Sequence, residues 1–131
     1  MLVALLIRAY ASFYGVEPEF ALAVAHVESG TSAQEFRVGP LGKEGTYAGP
    51  FGLHRAYCRE RFGIDPLDPE TNVAIGVRAL RGADQRRVLQ RYNRSFNEAY
   101  WRAVLAAKAH YKGAQAGKPA PPKEKADGSG G

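Results

Sequence analysis

The stretch Ala25-His26-Val27-Glu28-Ser29-Gly30 closes an apolar run that begins at Phe20. Phe20, Val24, Val27 and Glu28 stand at i, i+4, i+7 and i+8, so they share one face of a helix. Pro18 suits the first turn of that helix and Gly30 suits its stop. The spacing therefore predicts a helix over 18–29 with a carboxylate in its last turn, at the edge of the face that packs inward. A glutamate placed there is disfavoured as an anion twice, by desolvation and by the negative end of the helix dipole. Such a carboxyl keeps its proton towards neutral pH and can give it to a leaving group. A Glu on a helix rim is more often merely solvated, so its role depends on what the rest of the chain places around it.

Working outward, Leu2 to Tyr14 read as a first helix stopped by Gly15. The apolar run Leu2–Ile7 has no basic segment ahead of it and continues at helical spacing through Tyr10, Phe13 and Tyr14. It reads as a core helix and not as a signal peptide, and no segment is long enough to span a bilayer. After Gly30 the character changes. Residues 31–50 hold Gly39, Pro40, Gly42, Gly45, Gly49 and Pro50 with few apolar residues, which predicts a functional loop or small β excursion. Short strands are expected near 35–38 and 46–48. Gly39-Pro40-Leu41-Gly42-Lys43-Glu44 lacks the spacing and the hydroxyl of a phosphate loop. Further helices are predicted over 53–62, closed by Gly63; from Asp68-Pro69 to about Arg81; over 84–92; and from a capping box at Ser95-x-x-Glu98 to Gly113. Val73, Gly76, Val77 and Leu80 form one face, with Gly76 expected to permit close helix packing. Residues 114–131 are Ala, Gly, Pro, Lys and Glu without apolar periodicity and read as a flexible tail. The expectation is a mainly α domain of about six helices over 1–113 with a Gly-rich excursion at 31–50.

The 131 residues carry a net charge of +5, with basic residues concentrated at 55–61 and 78–94. A basic surface favours polyanions such as nucleic acid, anionic lipid or the bacterial wall. The single Cys58 excludes an intrachain disulfide and a cysteine metal site. His26, His54 and His110 lack the spacing of a metal pair, and no Ser-His-Asp signature is present. No metal or cofactor is expected. What remains is carboxylate chemistry. A two-carboxylate glycosidase would need a partner for Glu28, for which Glu44 is the first candidate and Glu35 the second.

In order along the chain, Glu28-Ser29-Gly30, a Gly-rich stretch ending Gly49-Pro50-Phe51-Gly52-Leu53-His54, and Arg91-Tyr92-Asn93 resemble the hallmarks of the soluble lytic transglycosylase domain. Tyr14-Gly15-Val16-x-Pro18 and Asp68-Pro69-x-x-Asn72, followed by Gly76 and Leu80, support the resemblance, which covers about residues 5–111. It implies a lysozyme-like fold related to goose-type lysozyme. It also implies cleavage of peptidoglycan at the β-1,4 bond between N-acetylmuramic acid and N-acetylglucosamine, with 1,6-anhydro products. Glu28 would act as general acid and then as base, assisted by the substrate's own N-acetyl group. The substrate-binding residues implied are Ser29, Gly52, Leu53, His54, Tyr92 and Asn93, with Tyr47 or Phe51 stacking on a sugar. Tyr92 would contact Glu28 and the N-acetyl group.

Three departures stand out. His54-Arg55 replace the usual Met-Gln, Arg91 replaces the usual Ala, and the 31–50 loop is long. These variants are similar to transglycosylase-like proteins of phage virions, which would supply a delivery route without a signal peptide. Three other readings stay open: a hydrolytic lysozyme using Glu44 or Glu35, a wall-binding or virion structural protein that no longer cuts, and a basic helical module for nucleic acid. The sequence offers no recognition-helix pattern for the last, and no nucleic acid is expected as partner.

Overall fold

The computed structural model describes residues 2–30 and 39–115. Glu35, the strand expected at 35–38 and the chain beyond Gln115 lie outside the described residues. Among the described residues, the fold has six α-helices and a small three-stranded sheet: α1 (Leu2–Tyr14), α2 (Pro18–Ser29), β1 (Pro40–Leu41), β2 (Tyr47–Ala48), β3 (Leu53–His54), α3 (Arg55–Phe62), α4 (Pro69–Arg78), α5 (Gln85–Tyr92) and α6 (Glu98–Gln115). The mainly α expectation is met. Among the described residues no helix is long and apolar enough to cross a membrane.

The helix holding Glu28 is the centre of the molecule. Phe20 to Ala25 are all buried, so α2 is enclosed on every side and not only along one stripe. Ala21, Ala23 and Ala25 are small enough to let neighbours approach closely, and α2 packs most extensively against α6. Ile7 and Ala11 of α1, Val73 and Val77 of α4, Val88 and Leu89 of α5, and Val104 of α6 complete one core. Gly30 ends α2 in the left-handed conformation, with φ 73° and its N–H donating to the His26 carbonyl at 2.9 Å.

The Gly-rich excursion is an antiparallel sheet in the order β1-β2-β3, with Leu41 opposite Tyr47 and Ala48 opposite Leu53. Leu53-His54, expected as the start of a helix, instead form β3, because Tyr47 and Ala48 supply strand partners before the helix begins. His54 then caps α3, its Nδ1 accepting from the Tyr57 N–H at 3.1 Å. Arg55 ties the turn between β1 and β2 to Asp65. It donates to Asp65 at 3.1 and 2.9 Å and to the Gly45 carbonyl at 3.0 Å.

Other boundaries shift by a few residues. α4 ends at Arg78, not Arg81. The cap of α6 is Asn97, whose Oδ1 accepts from the Tyr100 N–H at 2.8 Å, so the expected Ser95–Glu98 box does not form. Gly113 lies inside α6, which continues through Ala114 to Gln115.

Glu17, just ahead of α2, ties three elements together. It accepts from Gln85 at 2.8 Å and pairs with Lys108 and Lys112, both at 2.9 Å. Burial pushes its carboxyl up, but the hydrogen bonds from Gln85, Lys108 and Lys112 outweigh this and hold it at about 2, against an ordinary 4.5. A depressed carboxylate contributes stability above its unfolded value and loses it as pH falls through its folded value. Stability is therefore expected to drop between about pH 4.5 and about pH 2. Because Lys112 is half exposed, the contribution is about 1 kcal/mol. Urea melts of wild type and Glu17→Gln across that window check this: the variant should show the shallower acid loss.

Candidate active site

Four segments meet at Glu28. The first is the last turn of α2, which presents the carboxyl itself. Glu28 is half-buried and adjoins the carbonyl end of its own helix. Ser29, beside it, is buried.

The second is the loop from Ala48 to Gly52, seated on α4 by Asn72. The Asn72 side chain is fully buried and saturates three backbone groups. Its Nδ2 donates to the carbonyls of Ala48 at 2.7 Å and Pro66 at 2.9 Å, and its Oδ1 accepts from the Phe51 N–H at 3.1 Å. Gly49 makes the approach possible, since a Cβ there would lie 2.2 Å from Asn72 Nδ2. One turn along α4, Gly76 opens a slot for the Phe51 ring, whose Cγ would be 2.4 Å from a Cβ at that position. Gly76 thus makes room for an aromatic ring. Phe51 is wholly buried, so the expectation that it stacks on a sugar is corrected: it anchors the loop. Gly52 follows with φ 57°, and a Cβ there would lie 3.4 Å from Glu28 Oε1. A side-chain-free surface therefore faces one oxygen of the carboxyl.

The third is the end of α5. The Tyr92 hydroxyl donates to the Phe51 carbonyl at 2.9 Å, so it braces the loop and is not among the hydrogen-bond donors to Glu28. Burial, and then the charge of nearby Glu28, push the Tyr92 phenol well above its ordinary value, and it stays a donor. Asn93 ends α5, its N–H donating to the Leu89 carbonyl, and its Nδ2 donates to Glu28 Oε2 at 3.3 Å. The Ser95 N–H donates to Asn93 Oδ1 at 2.8 Å, which sets the amide with its nitrogen towards Glu28.

The fourth is α6, whose Tyr100 hydroxyl donates to Glu28 Oε2 at 2.6 Å. From sequence alone, Tyr100 is assigned no role at the site. The available signal was a phenol on an apolar face, which needs a polar partner when buried.

Burial pushes the Glu28 carboxyl above its ordinary 4.5, and the Tyr100 and Asn93 hydrogen bonds oppose this without cancelling it. Tyr100 is raised strongly, by burial first and by the Glu28 charge second, so it remains protonated whichever form Glu28 takes. One oxygen of the carboxyl is thus held as an acceptor by two donors, and the other faces Gly52. That arrangement can present a carboxylic proton on Oε1 and take one back there.

The remaining candidates lie around this centre. Leu53 is half-buried, while His54 and Tyr47 are exposed on the sheet with ring centroids 5.5 Å apart and planes at 90°. Glu44 sits exposed in the turn after β1, in the left-handed conformation at φ 58°, and is not a hydrogen-bond or ion-pair partner of Glu28 among the described residues. Cys58 is buried, and burial raises its thiol. His26 points to the opposite side of α2, with Nδ1 3.1 Å from the Tyr111 hydroxyl. Among the described residues no three of His, Cys, Asp and Glu gather as a metal site would require. No family model, curated protein or solved structure matches this chain.

Proposed function

We propose that this protein is a peptidoglycan lytic transglycosylase. The observation that carries the reading is a carboxyl raised by burial at a helix C-terminus, held through one oxygen by Tyr100 and Asn93 and facing Gly52, which has no side chain, with the other. The ordered resemblance of Glu28-Ser29, Gly52-Leu53 and Tyr92-Asn93 to that family supports it. These segments, far apart in sequence, converge on Glu28 through the Tyr92–Phe51 and Asn93–Glu28 bonds.

In the reaction, protonated Glu28 gives its proton to the β-1,4 glycosidic oxygen as the bond from muramoyl C1 breaks. The carbonyl oxygen of the substrate's 2-acetamido group bonds to C1, leaving an oxazolinium ion. Glu28, now a carboxylate, takes the proton of the muramoyl 6-hydroxyl. That oxygen bonds to C1, and the acetamido oxygen leaves as the ring opens. One carboxyl serves both steps, and among the described residues its side-chain hydrogen-bond partners are an amide and a phenol. Tyr100 and Asn93 remain donors throughout and steady the anion between steps. Exposed Tyr47 and His54 supply an aromatic surface for sugar rings.

The test is incubation with purified sacculi and mass spectrometry of the soluble muropeptides. Release with 1,6-anhydro ends is expected. Reducing ends would make the protein a hydrolase on the same scaffold, and no release would overturn catalysis altogether.

A further inference from the structure

Five arginines, Arg78, Arg81, Arg87, Arg91 and Arg94, are exposed on the α4 end, the turn after it and α5, and none is ion-paired to a carboxylate among the described residues. The fold gathers them on one side. Arg87 and Arg91 are one helical turn apart on α5, and Arg94 follows just past the helix end, after the extended Asn93. Arg91 Nη2 donates to the Arg81 carbonyl at 3.4 Å, and Arg81 Nε donates to the Arg78 carbonyl at 3.1 Å, which brings the α4 end alongside. Arg86, between them in sequence, is spent differently. It pairs with Glu98 and lies 5.5 and 5.6 Å from the rings of Phe96 and Trp101. Asp84, the only acidic residue between 78 and 94, is engaged as the cap of α5.

Like charges one turn apart cost helix stability, so exposed arginines with no carboxylate partner among the described residues are a surface arranged for an anion, even though Arg81 also lies over the Tyr14 ring at 5.9 Å. Guanidinium forks match phosphate oxygens two at a time. The series also ends beside the site: Arg94 follows Asn93, whose amide touches Glu28. We propose that this face binds an anionic polyol-phosphate polymer of the bacterial wall and so holds the wall against the Glu28 site; this rests on the peptidoglycan reading. Arginines strung along a short helix and a turn suit a flexible phosphodiester chain threading past.

The test is fluorescence anisotropy with labelled poly(glycerol phosphate), across 50–200 mM salt, against duplex DNA and poly-L-glutamate of equal charge. Wild type is expected to bind the polyol phosphate more tightly than either comparator. For about four phosphate contacts the affinity should fall roughly 50-fold over that salt range. Arg87→Gln/Arg91→Gln/Arg94→Gln should lose at least tenfold, and the corresponding Lys set, which keeps the charge, should recover most of it. The proposal is overturned by absent binding in the wild type, by equal binding in the Gln set, by tighter binding of DNA, or by equal binding of polyglutamate. Failure of the peptidoglycan reading would appear separately, as absent muropeptide release, and would leave this binding result standing.

Discussion

Glu28→Gln should abolish muropeptide release, lowering the rate by at least 10²–10⁴-fold, while leaving the protein folded and more stable above about pH 4.5. Both halves come from the same burial. A neutral amide can still accept from Tyr100 and Asn93, so the surroundings of residue 28 persist, but it cannot donate to a glycosidic oxygen. The stability half follows from linkage. A carboxyl whose folded value is raised stabilises the protein fully below its unfolded value and loses that contribution as pH rises through the folded value. The variant has no such loss, so its advantage should grow with pH from about 4.5 and then level off above the folded value. Sacculus digestion and thermal melts at a series of pH values check the two halves independently. Retained activity in the variant would remove Glu28 from the mechanism. An unchanged or lowered stability at neutral pH would show that the ionised side chain is not penalised by its site.

Asn72→Ala should be the most damaging substitution away from Glu28. It removes three hydrogen bonds from a fully buried position and leaves the Ala48 and Pro66 carbonyls and the Phe51 N–H without their partner. Unsatisfied buried groups cost about 1–3 kcal/mol each, so a total of at least about 3 kcal/mol is expected, a large share of a typical domain's stability. Denaturant melts should show it as a lowered midpoint. Asn72→Asp should do no better: it keeps an acceptor for the Phe51 N–H but turns its other oxygen on two carbonyls. Because Asn72 seats the loop that carries Gly52 to Glu28, activity should fall in any Asn72→Ala protein that still folds. A loss below 1 kcal/mol would mean that Phe51 in its Gly76 slot suffices to hold the loop.

The helices were legible because their signals are local. Apolar spacing, Pro18, Gly30 and the Asp68-Pro69 pair locate α1, α2 and the start of α4 without tertiary information. Glu28 was legible for the same reason, as a carboxylate at the edge of an apolar face ending in glycine. What escaped is what only three-dimensional contact creates. Tyr100 is one more aromatic of the last helix until its hydroxyl is found against Glu28 Oε2. Phe51 reads as a sugar platform until Gly76 is seen to make room for it inside the core. Tyr92, expected at the carboxylate, is near enough to feel the Glu28 charge, but its hydroxyl donates to the Phe51 carbonyl. The strand at Leu53-His54 depends on pairing with Tyr47-Ala48, a contact invisible to helical periodicity.

The proposed catalysis requires Glu28 to be an acid raised by its site and restrained by Tyr100. The most direct test is a site-specific titration of the Glu28 carboxyl by carbon-detected NMR, in the wild type and in Tyr100→Phe. The wild-type midpoint should lie above the ordinary 4.5, because burial outweighs the two donors. Removing the Tyr100 hydroxyl takes away a bond that favours the anion, so the midpoint should move higher still. A wild-type midpoint at or below 4.5, unmoved by Tyr100→Phe, would contradict the proposed catalysis.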